Sequence, residues 1–217
     1  MSSAKRPNIL YQDKLLGRAS TSAAISATVT LPCCTTDGDY RVDKFELQAP
    51  GGYATDATNY YVVTLQARLQ AFTAVAATDL CTITGHGFVQ GQSLILTTTS
   101  ALPAGLTANV EYFVILKSVN TFQLATSLVN ATAGTAVDIT DTGTGTHTSA
   151  VLLGTYSLLT GAQATLTTLV FANAVLAADP VGLKGDQLNV VLTKAASGAD
   201  FPIGSVFNVH LKQLTAS

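Results

Sequence analysis

The sequence predicts an all-β protein, in which a jelly-roll or β-sandwich domain is interrupted by a small inserted module that is itself a β-barrel-like or β-sandwich fold. Three observations support this prediction. Polar and apolar residues alternate in several segments, turn-forming residues separate those segments, and the composition changes in the middle of the chain. With 217 residues the chain is long enough for one domain that carries an insertion.

The strand prediction depends most on residues 60–70, where every second residue is apolar. The predicted buried face consists of Tyr61, Val63, Leu65, Ala67 and Leu69. Residues 207–212 repeat the pattern, with Phe207, Val209 and Leu211 on one side and Asn208, His210 and Lys212 on the other. Shorter segments rich in Val, Leu, Thr and aromatic residues predict strands over residues 42–48, 151–158, 165–171 and 187–194.

Helix signals are few. A short amphipathic stretch predicts a helix over residues 10–18, and a second candidate covers residues 171–178, which Pro180 closes. Neither is long enough to define the architecture.

Residues 73–149 differ in composition from the flanking chain. Threonine clusters there, and the only charged residues are Asp79, Glu111, Lys117, Asp138 and Asp141. Five short strands are predicted, at 80–84, 93–99, 110–117, 121–125 and 136–140. We therefore divide the chain into an N-terminal arm (1–18), a discontinuous jelly-roll domain (19–72 and 150–217) and an inserted β-rich module (73–149).

Charge and hydropathy exclude several classes of protein. Charged residues make up 11% of the chain, against about 25% in a typical soluble domain, and the net charge is −2. We therefore expect no nucleic-acid partner. No apolar run reaches the roughly 18 residues that a membrane span requires, and the N-terminus has no signal-peptide core, so we expect no membrane partner and synthesis in a cytoplasm.

The residues that could take part in catalysis or metal binding are scattered along the sequence. His86 and His147 fall in turns rich in Gly and Thr, and His210 lies on the polar side of its strand. Cys33, Cys34 and Cys81 predict free thiols, with a bond between neighbouring chains through Cys33 or Cys34 as the alternative. The sequence therefore predicts no enzyme, no catalytic residues, no cofactor and no metal site. Three carboxylates in one turn leave calcium as a minor alternative to an ordinary polar turn; they are Asp37, Asp39 and Asp43.

The N-terminal arm holds the clearest cluster of charge. Its basic residues, which outnumber the single acid Asp13, are Lys5, Arg6, Lys14 and Arg18. A basic arm can order against an acidic neighbouring surface, although a solvated tail is an equal alternative. These four residues are the candidate contacts with a partner.

The inserted segment resembles a module found in tailed-phage structural proteins. Thr84-Gly85-His86-Gly87-Phe88 carries the resemblance together with residues 102–106, 112–115, 120–125, 138–141 and 143–148. Such modules occur in fibre, tail and head proteins, so the resemblance implies a virion component without fixing its location.

The flanking domain resembles the head decoration, or cement, proteins of tailed phages. The resemblance rests on the order of an N-terminal arm, the strand after Asn59-Tyr60-Tyr61, the turn at residues 185–188 and the loop at residues 197–204. It implies a structural protein on the outer capsid surface, with the major capsid protein as partner and a trimer as the oligomer. A tail, baseplate or fibre-associated protein that binds a host glycan or a protein is the alternative.

Overall fold

The computed structural model describes residues 11–21, 28–50, 60–158, 166–169, 185–194 and 200–214. These residues form strands β1 (Tyr11–Ser20), β2 (Val29–Thr35), β3 (Tyr40–Gln48), β4 (Tyr61–Val75), β5 (Leu80–Thr82), β6 (Ser93–Thr98), β7 (Glu111–Leu116), β8 (Thr121–Ala125), β9 (His147–Leu158), β10 (Leu166–Leu169), β11 (Gln187–Lys194) and β12 (Val206–Leu214). The helical segments of the described chain are the 3-10 turn Ala76–Thr78 and one short helix, α1 (Leu128–Ala133). The predicted all-β fold with a sandwich-like pair of sheets is confirmed.

The chain divides into two compact units. Unit 1 comprises Met1–Gln66 and Leu153–Ser217, and unit 2 comprises Ala67–Leu152. Unit 2 includes the whole of the segment 73–149 that differs in composition. It is longer than that segment at both ends because β4 and β9 each continue from unit 1 into unit 2 without a break.

Unit 1 contains two antiparallel layers. Sheet A has the strand order β1-β12-β3-β10, and in sheet B the order is β2-β11-β4, with a further pairing between β4 and β9. Strands from the first and last parts of the chain thus alternate within each sheet. This interleaving favours the jelly-roll interpretation, in which two Greek keys share eight strands.

Aromatic rings fill the core of unit 1. Phe207 stacks on Phe45 at 5.9 Å between ring centroids, and Phe201 lies 6.1 Å from Phe207 and 5.1 Å from Tyr61. All four side chains are buried. They come from β3, β4, β12 and the segment before β12, so the two ends of the discontinuous domain share one core.

Unit 2 is built from the remaining strands. They follow the order β4-β5-β8-β7-β6-β9, and because β9 also pairs with β4, the order returns to the strand where it began, as in a barrel. The helix α1 lies against this sheet through Ala131, which packs with Ile115 and Ala125. Ser127 caps its first turn and Gly134 ends it in the left-handed conformation.

The alternation of β4 changes phase at Arg68, which the sequence did not indicate. Tyr61, Val63, Leu65 and Ala67 are buried as predicted, but Leu69 is 48% exposed and the buried residues beyond it are the even-numbered Phe72 and Ala74. Arg68 has a φ of +49°, and a single left-handed residue moves the following side chains to the other face, as in a β-bulge. The prediction for Leu69 was therefore wrong.

Two other predicted elements are wrong. Residues 11–18 belong to β1 and pair with β12 instead of forming a helix; a register shift between Leu15 and Gly17 interrupts the alternation that would have indicated a strand. Residues 136–140 form no strand, because their backbone N–H groups bond to separate partners, with Val137 donating to Leu124 O and Thr140 to Ala104 O. The helix predicted over residues 171–178 lies outside the described residues.

Candidate interface on sheet A

The candidate site is the side of sheet A that faces away from the core of unit 1. On β12, Phe207, Val209 and Leu211 are buried, whereas Asn208 and His210 are partly exposed, as the alternation predicts. On β3, Phe45 and Leu47 point into the core, so Lys44 and Glu46 occupy the opposite side. Backbone pairing brings His210 opposite Lys44 and Asn208 opposite Glu46.

Glu46 is a buried carboxylate in the middle of this outward side. Only 4% of the residue is exposed, and two side chains contact its carboxylate. Lys44 Nζ forms an ion pair with Glu46 Oε1, and His210 Nε2 lies 2.9 Å from Glu46 Oε2. The hydrogen bond from Lys44, together with that from His210, lowers the pKa of the Glu46 carboxyl although burial acts in the opposite direction. The carboxylate is therefore ionised and ties two strands together.

Arg18 extends this arrangement to β1. Its backbone pairs with Asn208, which in turn pairs with Glu46, so Arg18 and Glu46 lie two strands apart, roughly 10 Å. The Arg18 side chain is exposed. Of the other predicted contact residues, Lys14 lies in β1 opposite Leu211, while Lys5 and Arg6 lie outside the described residues. The predicted arm of residues 1–18 thus needs correction, because residues 11–18 are part of a paired strand.

Sheet A is locally basic. Its four strands contain five of the chain's eleven Lys and Arg residues and three of its thirteen Asp and Glu residues. The basic residues are Lys14, Arg18, Arg41, Lys44 and Lys212. A chain with a net charge of −2 therefore concentrates positive charge on one sheet, which is a property of interfaces with acidic surfaces.

The two histidines of unit 2 are structural. His86 is buried; it accepts a hydrogen bond from Phe88 N at Nδ1 (2.9 Å), and Nε2 lies 3.0 Å from Ser118 O. His147 begins β9, beyond the turn in which the sequence placed it, and bonds Thr98 Oγ1 and Thr142 O at 3.0 Å each. With both ring nitrogens engaged, neither side chain is available as a general base in this arrangement.

The carboxylates and cysteines of the described part of the chain form no cluster of metal ligands. There, no group of three or more His, Cys, Asp or Glu residues could hold a metal ion. Asp37, Asp39 and Asp43 are all exposed. The three cysteines are free thiols, with Cys33 and Cys34 half-buried and Cys81 buried.

Sequence reasoning missed Lys44 and Glu46 as members of the site. The available signal was their spacing: two opposite charges two residues apart in a predicted strand lie on the same side of the sheet. What the sequence does not reveal is that the partner strand is β12, which comes from the other end of the chain and brings His210 to the same carboxylate.

A comparison of the chain with protein-family models, curated proteins and solved structures finds no match. The class of protein that the fold defines is thus an all-β sandwich that carries an inserted β-rich unit. In the residues that the structure describes, no helix has the length and apolarity needed to cross a membrane.

Proposed function

We propose that this protein is a structural component of a phage virion that binds the outer surface of the capsid and reinforces contacts between capsomers. The observation that carries the proposal is the excess of Lys and Arg in the strands of sheet A, with Arg18 and Lys44 exposed on the outward side, on a chain that is otherwise poor in charge. The resemblance of both parts of the sequence to phage structural proteins supplies the partner, the major capsid protein.

The arrangement of charge suits adhesion. Arg18 is exposed and available to a partner, whereas Glu46 is occupied by Lys44 and His210, so the carboxylate does not repel an acidic surface at close range. Each contact of this kind is weak by itself. Many copies on a repeating shell, each of them a trimer, hold firmly because dissociation requires several contacts to break together.

The location is tested by counting the protein in purified particles with quantitative mass spectrometry. We expect hundreds of copies per particle, in fixed proportion to the major capsid protein. A few to a few dozen copies would contradict the proposal and favour the alternative, a tail, baseplate or fibre-associated protein.

The contact surface is tested with charge-reversal variants. Arg18→Glu weakens binding to particles by about tenfold and reduces its dependence on salt, because the exposed guanidinium loses its attraction to an acidic surface. Lys117→Glu is the matched control, since it makes the same change of charge at an exposed position of unit 2. Equal weakening by the two variants would show that only the net charge matters.

The predicted role of Lys5 and Arg6 needs a shorter deletion than the whole predicted arm. Removing residues 2–18 would also remove β1, and with it the strand that pairs with β12. Deletion of residues 2–10 keeps every residue of β1. We expect this deletion to lower occupancy on particles while leaving the unfolding temperature unchanged; unaltered occupancy would reject a role for Lys5 and Arg6.

A further inference from the structure

A β-bulge in β2 places two adjacent cysteines on the same side of the strand. Leu188 of β11 pairs with Cys34, but the next residue, Asn189, pairs with Pro32, so Cys33 is the extra residue of the bulge. In a regular strand, side chains of adjacent residues point to opposite faces. At a bulge two residues oppose one, and their side chains no longer need to diverge.

Gly17 of β1 confirms that both thiols point into the same space. A Cβ atom placed on Gly17 would overlap Cys33 Sγ and would lie 2.7 Å from Cys34 Sγ. Both sulfur atoms therefore lie close to a single point above the glycine, in space that any larger residue at position 17 would occupy. Gly17 itself is buried and pairs with Val209, so the sandwich holds it in place.

The Cys33 and Cys34 thiols interact with each other and differ from the Cys81 thiol. A hydrogen bond between them lowers the pKa of Cys34 and raises that of Cys33. Both residues are half-buried, on the strand at the end of the described order of sheet B. Cys81 is fully buried, and burial raises its pKa to about 12. A reagent in solution therefore reacts with the Cys34 thiol, whereas the buried Cys81 thiol is inert.

We propose that Cys33 and Cys34 form a dithiol redox site that is oxidised to an intrachain disulfide by a low-molecular-weight disulfide such as glutathione disulfide. The Cys34 thiolate attacks one sulfur of glutathione disulfide, which gives a mixed disulfide and releases one glutathione thiolate. Cys33 then attacks Cys34 Sγ as a thiolate and displaces the second glutathione. The two protons lost by the cysteines pass to the two glutathione thiolates, so two thiols are oxidised and one disulfide is reduced.

The product is a labile bond and not a permanent link. Adjacent Cα atoms are about 3.8 Å apart across a trans peptide, which is below the range of about 4.4–6.8 Å in ordinary disulfides. Strained disulfides are more easily reduced, so the pair follows the redox state of its surroundings. Because both sulfur atoms face Gly17 of their own chain, the geometry favours this closure over the bond between neighbouring chains.

The test oxidises the full-length protein with glutathione disulfide, then unfolds and alkylates it and measures its intact mass. We expect alkylation at one position, Cys81, and a mass before alkylation lower by two hydrogen atoms than that of the reduced protein. Three alkylated cysteines, a stable glutathione adduct on the wild-type protein, or a covalent dimer would each overturn the proposal.

Single-residue variants distinguish the attack of Cys34 on glutathione disulfide from the attack of Cys33 on the mixed disulfide. Cys33→Ser accumulates the glutathione adduct at Cys34, because the first step remains and the second is lost, and Cys34→Ser reacts about tenfold more slowly than Cys33→Ser. We expect the Cys81→Ala variant to form the Cys33–Cys34 disulfide as the wild type does, because the buried thiol takes no part in the reaction. A Cys33→Ser variant that forms no adduct, or a Cys34→Ser variant that reacts as fast, would overturn the assigned order of attack.

Discussion

Glu46 and His86 show how the two units handle buried polar side chains. Glu46 lies on the outward side of a sheet, and it is tolerated there because Lys44 and His210 contact its two oxygens in place of the water that burial removes. His86 lies among aromatic rings, 4.9 Å from the centroid of Phe88 and 5.4 Å from that of Phe122, and bonds through both nitrogens. Each of these two side chains is held by hydrogen bonds, so replacing it lowers the free energy of unfolding.

Glu46→Gln tests the ion pairs through their pH dependence. We expect the free energy of unfolding at pH 7 to fall by about 1–2 kcal/mol, a modest loss because Lys44 and His210 are themselves partly exposed. Since the folded-state pKa of Glu46 is lowered, its contribution is present above the ordinary carboxyl value of 4.5 and disappears as the pH falls through the folded pKa. The difference between variant and wild type should vanish in acid.

The measurement is urea unfolding between pH 3 and pH 8, with Asp138→Asn as the control at an exposed carboxylate of unit 2. A difference for Glu46→Gln that stays constant over this range would show that the ion pairs contribute nothing to stability.

His86→Leu removes the acceptor of Phe88 N and the partner of Ser118 O at once. The Phe88 N–H is buried, and leaving it unsatisfied costs about 1–3 kcal/mol, so we expect a clear drop in the thermal stability of unit 2. His86→Asn keeps a side-chain oxygen near the position of Nδ1 and should lose less. Equal losses in the two variants, measured by calorimetry, would mean that packing and not hydrogen bonding determines the effect.

At the scale of the element, β4 combines two alternation patterns in one strand. Arg68 separates them, and its left-handed backbone is held by contacts of its side chain. Arg68 Nη1 donates to Gly87 O at 2.8 Å, and its guanidinium carbon lies 6.0 Å from the centre of the Phe88 ring. These contacts offset the cost of about 1–2 kcal/mol that a left-handed conformation imposes on a residue with a Cβ.

Glycine and alanine substitutions test the bulge directly. Both Arg68→Gly and Arg68→Ala lose the contacts of the side chain, but only glycine adopts the positive φ without strain. We expect Arg68→Gly to be more stable than Arg68→Ala by about 1 kcal/mol. At Thr73, an exposed position later in β4 that lacks a positive φ, the order should reverse. The measurement is chemical denaturation. If the alanine variant is more stable than the glycine variant at both positions, the bulge is contradicted.

The sequence predicts most clearly the strands that have an apolar residue at every second position over part of their length. The strands around Val63 and Val209 were predicted because each has one apolar face over several residues. For the residues of β1 the sequence predicts a helix instead, because the register shift falls among Leu15, Leu16 and Gly17. The bulge at Arg68 could not be predicted, since arginine does not mark a left-handed position as glycine does.

For the candidate interface, the basic character of the N-terminal residues was visible in the composition. The contact between Glu46 and His210 was not, because the pairing of β3 with β12 joins residues 164 positions apart. Alternation predicts which side of a strand faces outward, but it does not determine which strand is the neighbour.

At the scale of the whole molecule, the chain consists of one unit that is interrupted by another. The first strand of sheet A pairs with the last, so unit 1 cannot form until its C-terminal part is present. Unit 2 is continuous in sequence and requires no such closure over the length of the chain. The two units therefore differ in how far apart their contacts lie along the chain.

Replacing residues 67–152 with a short Gly-Ser turn between Gln66 and Leu153 tests whether unit 1 is complete without unit 2. The pairing of β4 with β9 allows the two new ends to be joined as a hairpin. We expect a protein that unfolds in a single cooperative transition and still binds particles. An aggregated or unfolded product would show that unit 2 is required for folding.

The proposed function requires that sheet A faces the capsid. A reconstruction of the particle by electron cryo-microscopy tests it most directly, with the structure of unit 1 fitted to the density. We expect density in regular array on the outer shell, with Arg18 and the Lys44–Glu46–His210 cluster towards the capsid protein. Density on the tail, or a sheet A that faces solvent on the shell, would contradict it.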